Sequence, residues 1–343
     1  MLVARSRGGA PACCGPSTLI VRARFLRPCH HTLVNRRQAA ARPVAVCSAP
    51  TDVFVLDFDG VILDSEPEIT ASAFEAAAQR WPELFGSGRV APERRAALRE
   101  AMRGVRPVLV RGYESMVMLR RLLRDPDCAA TRDAILTRWE AELPRALAEW
   151  GESAEELNRL YEAVRNDWMT NRTDSWMALQ VPYEGVGEAL REMPFPYYIA
   201  SSKAAHRVSA LSGAVLGVDL PADSPRLFAS LLPPEEKKAE ALSTIASRPA
   251  AASPSTRLHF VDDRLDTLRA VQRAQGGQGG GRWRLYLADW GYNTPEERAV
   301  AAREPGVQVL SLPAFRELLR FGLVMGVDDG CEPTEEEVEA GVE

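Results

Sequence analysis

Long apolar runs are missing from this 343-residue chain. No stretch approaches the roughly 18 consecutive apolar residues that a bilayer-spanning helix needs, because charges or prolines interrupt every candidate, so no membrane span is expected. Cysteine is scarce and poorly placed. Of six, Cys13, Cys14, Cys29 and Cys47 fall near the N-terminus, which leaves Cys128 and Cys331. Two distant cysteines make neither a disulfide framework nor a zinc site. Acid is absent from residues 1 to 51, which hold eight arginines, no lysine and many small residues. That composition reads as an organelle transit peptide, with the plastid as the expected destination and the mitochondrion as the alternative. A basic tail on a cytosolic protein is the competing reading. A secretory signal would need an apolar stretch of about 7 to 15 residues, and the best run, Leu19 to Val21, is broken at Arg22. Cys29 beside His30 and His31 lies in the same segment, so it is not taken as a metal site. Removing residues 1 to 48 takes away those eight positive charges and no negative ones, which moves the formal balance from -5 to -13. An acidic mature chain excludes the usual basic groove for nucleic acid.

What is present is ample core material, with 46% apolar residues, enough for one large or two ordinary domains. After the leader, Val53 to Leu56 is a short apolar run ending in acid and glycine, the pattern of a buried strand entering a loop. From about Pro67 to Met177 apolar residues recur at three- and four-residue spacing, as in SAEELNRLYEAVRNDWM, which predicts a helical insert. Beyond Pro182 short strands alternate with helices: Tyr197 to Ala200, Leu227 to Ala229, Leu258 to Val261, Leu285 to Leu287 and Val307 to Leu310. Alternation of this kind predicts an α/β fold with a doubly wound, mostly parallel Rossmann-like sheet, with ligands at the carboxyl ends of its strands. The expected organisation is a leader at 1–50, an α/β core from 51–66 and 179–322, a helical cap at 67–178, and an acidic tail at 323–343. Gly276 to Gly281 reads as a connector, since it opens no helix and carries no Lys-Ser/Thr.

Polar residues that follow the strands are therefore the site candidates. Asp57 and Asp59 follow the first, Ser201 the second, and Asp262, Asp263 and Asp266 the fourth, while Lys237 and Lys238 open a helix between them. Two carboxylates about 4 Å apart repel by about 4 kcal/mol at an effective dielectric near 20, so several converging acids call for a cation. A site of carboxylates and water suits Mg²⁺, which would also orient an anionic substrate.

These residues also carry a family resemblance. DFDGVILDSEP at 57–67 resembles motif I of the haloacid dehalogenase (HAD) superfamily, and IASSK at 199–203 resembles its motif II. The helix-opening lysine of EEKKAEAL fits motif III, and HFVDDRLD at 259–266 fits motif IV. The four motifs occur in order and span about residues 52 to 320. The resemblance implies a hydrolase of the phosphatase type, in which Asp57 attacks phosphorus and Asp59 acts as general acid and then base. It further implies that Ser201, with Ser202 and Lys203 beside it, contacts the phosphoryl group, and that Lys237 or Lys238 offsets its charge. Mg²⁺ would be held by Asp57, the carbonyl of Asp59, and Asp262 with Asp263 or Asp266. Dehalogenating members generally lack the second aspartate, so Asp59 favours phosphoryl transfer. A phosphomutase and a non-catalytic binding scaffold are the alternatives.

The helical insert resembles the C1 cap of that superfamily, which covers the site and sets specificity. Small phosphorylated metabolites are thus the expected substrates, with Arg103, Arg106 and Arg111 as cap candidates and Arg106 as the one assigned to substrate. LYLADWGYNTP at 285–295 is similar to a plastid and cyanobacterial subgroup, and packing is the expected role of Trp290, Tyr292 and Asn293. His206 and His259 are read as helix-face and strand residues. Oligomeric state is not legible.

Overall fold

The computed structural model describes residues 52–276 and 281–323; the expected leader, the centre of the glycine connector and the acidic tail beyond Leu323 lie outside the described residues. Six strands form one sheet: β1 (Asp52–Leu56), β4 (Tyr197–Ala200), β5 (Leu227–Phe228), β6 (Arg257–Asp262), β7 (Trp283–Ala288) and β8 (Val307–Leu310). Their order is β5-β4-β1-β6-β7-β8 and every neighbouring pair is parallel. The chain therefore starts in the middle, winds outward through β4 and β5, then returns to β1's other side through β6. A switch point of this kind opens a crevice at the carboxyl ends of β1, β4 and β6. The α/β class expected from the strand-helix alternation is the one observed.

All five residues of β1 are buried, because a central parallel strand is covered on both faces. Its side chains alternate: Phe54 and Leu56 enter one apolar cluster, Val53 and Val55 another. The first cluster is closed by α8 (Val186–Glu192), α9 (Ala205–Ala214) and α13 (Leu312–Phe321), through Ala189, Leu211 and Phe315 among others. The second is closed by α10 (Pro234–Ala246), α11 (Leu265–Ala274) and α12 (Pro295–Ala301), through Leu242, Leu268 and Ala301. Each fully buried leucine or phenylalanine contributes about 1.5–3 kcal/mol, so a polar substitution in β1 would cost on both faces.

A second, antiparallel pair was not expected. β2 (Leu63–Asp64) pairs with β3 (Val181–Pro182), Leu63 opposite Pro182 and Asp64 opposite Val181. Two-residue strands leave no alternation to read. Between them run α1 (Glu66–Arg80), α2 (Pro82–Phe85), α3 (Pro92–Val105), α4 (Glu114–Leu123), α5 (Ala129–Trp150), α6 (Ala154–Asn171) and α7 (Thr173–Met177). α1 to α6 share an apolar cluster of their own that includes Phe74, Leu98, Met116, Trp139 and Tyr161. In α6, Ser153 caps the first turn by accepting the Glu156 N–H, and Leu157, Tyr161 and Val164 recur on the buried face at spacings of four and three. Among the described residues no helix is long and apolar enough to cross a membrane.

Three strands after the helical insert differ in extent from the pattern. β6 runs to Asp262 and β7 spans Trp283–Ala288, so Asp262 belongs to the strand itself and only Asp263 follows it. β5 is shorter than expected, ending at Phe228.

Candidate active site

The crevice is built by three strand tips and one helix start. β1 delivers Asp57, whose N–H donates to Val261 O at 3.0 Å and so locks the tip to β6. The chain then turns sharply: Gly60 has φ of +84° and donates to Leu63 O at 2.9 Å. Only glycine serves here, both because of that φ and because a Cβ would collide with the Asp263 carboxylate. β6 delivers Asp262 and Asp263, β4 delivers Ser201, and the first turns of α10 deliver Lys238. Asp57, Asp262 and Asp263 are buried, and each offers an oxygen within 4.8 Å of the others.

Lys238 sits inside this group, its Nζ 2.9 Å from Asp57 and 2.7 Å from Asp262. Burial disfavours its charge, but Asp262 and Asp57 outweigh that and hold the ammonium above its ordinary pKa. The carboxylates feel the opposite imbalance. Burial raises Asp57; Lys238 opposes the rise, while Asp262 and Asp59 add to it. Burial also raises Asp263, and Asp262 and Asp57 push it further. Three buried acids against one lysine leave negative charge uncompensated, and their donors are all oxygens. A hard divalent cation such as Mg²⁺ fits that set.

Asp59 lies beside this group, and its Oδ1 is 3.1 Å from Lys203 Nζ. Burial lowers the Lys203 pKa, Asp59 and Glu68 act against it, and Arg165 reinforces it. Ser201 is buried and its Oγ accepts the Lys203 N–H at 3.1 Å, which leaves the hydroxyl proton free to point elsewhere. Overhead, Arg106 reaches from the turn after α3 and lies 3.8 Å from the centre of the Tyr292 ring. Burial disfavours its charge, yet Tyr292, Asp59 and Asp263 raise its pKa.

Two adjoining hollows share Asp59, Arg106, Leu109, Val110 and Ser202 as walls. The inner one, about 40 Å³, is bounded by Asp57, Lys238, Asp263, Arg264 and Tyr292. The outer one, about 540 Å³, is bounded by Arg111, Glu162, Arg165, Lys203 and Arg207.

The structure thus brings together Asp57, Asp59, Ser201, Ser202, Lys203, Lys238, Asp262, Asp263 and Arg106. Two candidates are not brought in. Lys237 has its side chain 44% exposed and pairs with Glu240 at 2.9 Å, because one helical step turns it about 100° from Lys238. Asp266, the second residue of α11, has its side chain 72% exposed and faces Arg269 at 3.6 Å, so Asp263 and not Asp266 completes the acid trio. Arg103 is exposed beside Glu66, while Arg111 reaches only the outer hollow. His206 is exposed on α9, and His259 is buried in β6 between Asp52 at 2.8 Å and Tyr286 at 3.1 Å.

The aromatics after β7 do more than pack. Trp290 stacks on Phe315 and donates to Val61 O. Tyr292 bonds in three directions through its hydroxyl, donating to Asp64 Oδ1 at 2.8 Å and accepting the N–H groups of Ser65 and Glu66. Its own N–H donates to Asp263 Oδ2 at 2.8 Å. Tyr292 therefore ties the start of α1, and with it the helical insert, to the acid trio. Sequence reading also missed Arg165, which makes two hydrogen bonds of 2.8 and 2.6 Å to buried Glu68. Its signal was available: Arg165 stands eight residues after Leu157, on the buried stripe of α6.

No family model matches the chain, and no curated protein sequence matches it. Among solved structures it is similar to a protein assigned as a phosphoglycolate phosphatase from Lactobacillus delbrueckii subsp. bulgaricus, at 12% identity over 80% of this chain and 99% of that one, with a TM-score of 0.47. It is also similar to a haloacid dehalogenase-like family hydrolase from Streptococcus pneumoniae, at 14% identity over 75% and 93% with a TM-score of 0.43. A third is a HAD-superfamily hydrolase of subfamily IA from Geobacter sulfurreducens, at 15% identity over 80% and 99% with a TM-score of 0.41.

Proposed function

We propose that this chain is an Mg²⁺-dependent phosphatase-type hydrolase of the HAD superfamily, acting on a small phosphorylated metabolite through an aspartyl-phosphate. The observation that carries this is the buried trio Asp57, Asp262 and Asp263 with a single lysine among them, at the switch point of a parallel sheet and beside a second acid, Asp59.

A carboxylate oxygen of Asp57 forms a bond to phosphorus as the bond from phosphorus to the ester oxygen breaks. Asp59 protonates that leaving oxygen, then takes a proton from the water that attacks phosphorus, which releases inorganic phosphate and restores Asp57. Lys238 neutralises charge at Asp57, the Ser201 hydroxyl donates to a phosphoryl oxygen, and Arg106 covers the inner hollow with a permanent cation. Asp57, Asp262 and Asp263 would hold Mg²⁺, which when bound supplies charge neutralisation for the phosphoryl oxygens. Tyr292, by fastening the insert over the acids, limits water at the reacting bond.

Protein lacking residues 1 to 48 should release phosphate from an aryl phosphate, stop in EDTA and lose turnover in Asp57→Asn. Metal-independent release, or full activity in that variant, would discard the reading. Delivery to the plastid is part of the same proposal, supported by the acid-free, arginine-rich first 51 residues. A fluorescent protein fused behind residues 1 to 51 should enter plastids, and diffuse cytosolic signal would count against it.

A further inference from the structure

The outer hollow has a different chemistry from the inner one. Five cationic side chains line it, Arg106, Arg111, Arg165, Lys203 and Arg207, against three acidic ones, Asp59, Glu155 and Glu162. Of the five, only Arg106 also borders the inner hollow. Glu68 satisfies Arg165 through two hydrogen bonds, and Asp59 faces Lys203. The other cations are not matched in this way. Arg207, 3% exposed, gives one guanidinium nitrogen to Glu162 at 2.6 Å and to Asn166 at 2.8 Å, and its Nε–H has no partner. Glu162 is itself shared, since Arg165 approaches it at 3.7 Å. Arg111 forms no ion pair among the described residues. It stands five residues after Arg106 on the turn that roofs both hollows, so this turn carries one cation over each.

In a chain with a formal charge of -5, a positive excess in one cavity needs an explanation. The phosphoryl group at Asp57 does not supply it, because Arg111 and Arg207 do not reach the inner hollow. We propose that the substrate is a phosphomonoester with a second anionic group at its far end, held in the outer hollow by Arg111 from the roof and Arg207 from α9. This rests on the hydrolase reading and narrows its substrate class. The second anion is a carboxylate or another phosphate, since a guanidinium fork matches both. Glu162 opposes a second carboxylate at this spot, so the subsite is tuned rather than maximal in charge.

Matched pairs of esters read the subsite directly. 3-Phosphoglycerate differs from glycerol 3-phosphate by a terminal carboxylate, and fructose 1,6-bisphosphate differs from fructose 6-phosphate by a phosphate. The protein should prefer the more anionic member of at least one pair by about tenfold or more in kcat/KM, the effect of one charged hydrogen bond; which pair responds identifies the anion. Arg111→Gln and Arg207→Gln should each shrink that ratio, and Glu162→Gln should enlarge it. Arg207 is buried and its loss can damage folding, so exposed Arg111 carries the decisive variant. Ratios near one in both pairs, in a protein that hydrolyses an aryl phosphate through Asp57, overturn the second-anion subsite and leave the hydrolase reading standing. An unchanged ratio in Arg111→Gln overturns it equally. If no ester turns over, the hydrolase reading fails first, and calorimetric titration with the same pairs still decides the subsite: equal affinities within each pair overturn it.

Discussion

Buried charge is handled in two opposite ways in this molecule. Between α1 and α6, inside the helical insert, acid and base are matched: Glu68 takes two hydrogen bonds from Arg165. At the strand tips they are not matched: Lys238 pairs with both Asp57 and Asp262, and Asp263 forms no ion pair among the described residues. The consequences for protonation diverge accordingly. Burial pushes Glu68 up, but the Arg165 guanidinium more than offsets it and holds the carboxyl down at about 2. Asp57 and Asp263 are raised instead, burial being the main cause and like charge the next. Matched charge builds architecture, whereas the unmatched charge is what the proposed cation and phosphoryl group would answer.

The sharpest test of this contrast is to remove one acid from each region. Asp57→Asn should lower kcat by more than about a thousandfold, since the proposed mechanism forms its covalent bond through this carboxylate, while leaving the fold intact or firmer. Chromogenic turnover and circular dichroism on the same sample read both. Glu68→Gln should do the reverse, leaving Arg165 buried without its carboxylate at a cost of about 3–5 kcal/mol, or roughly 10 °C in Tm. Its pH dependence has a definite sign. A carboxyl whose folded pKa is depressed contributes stability that is complete above its unfolded value near 4.5 and is lost as pH falls toward about 2. The Tm gap between the parent and Glu68→Gln should therefore narrow over that window. A gap that widens on acidification would break the comparison.

Magnesium sharpens the other half. Raised carboxylates cost stability as pH climbs from the unfolded value near 3.8 through their folded pKa. A divalent ion on the trio should reverse that cost, raising Tm by about 5 °C at a hundredfold excess over Kd, and more at alkaline than at acidic pH because protons compete for the same oxygens. Differential scanning calorimetry with and without EDTA reads the shift; none at any pH would mean the trio does not take the ion. The smallest effects belong to the residues the structure leaves outside. Lys237→Ala and Asp266→Asn should each change kcat/KM by less than about twofold, as expected of exposed side chains, and a large loss in either would move the site.

How much of this could be read from the chain depends on how local each signal is. Asp57, Asp59, Ser201 and Asp262 were legible because each closes a short apolar run, and a strand tip is a property of contiguous residues. Lys238 was legible only in part: its four-residue spacing to Leu242 places it on the inner face of α10, yet Lys237 differs from it by a single helical step. The trio's third member was ambiguous for a similar reason, since the D-x-x-x-D pattern offers Asp266 as readily as Asp263 until the first turn of α11 fixes which one faces inward. Tyr292 and Arg207 were beyond reach in their roles, and for Arg165 the helical spacing gave the burial but not the partner. Each acts through a partner 29 to 228 residues away, and periodicity carries no information about which buried faces meet.

The claim on which all this rests is that Asp57 bonds to phosphorus. A crystal structure of the protein with Mg²⁺ and fluoroberyllate, a mimic of the phosphoryl group on a carboxylate, measures it most directly. We predict a tetrahedral beryllium group joined to an Asp57 oxygen, with the metal ion between Asp57, Asp262 and Asp263. An unmodified Asp57 still paired only with Lys238, with fluoroberyllate and metal absent from the inner hollow, would contradict it.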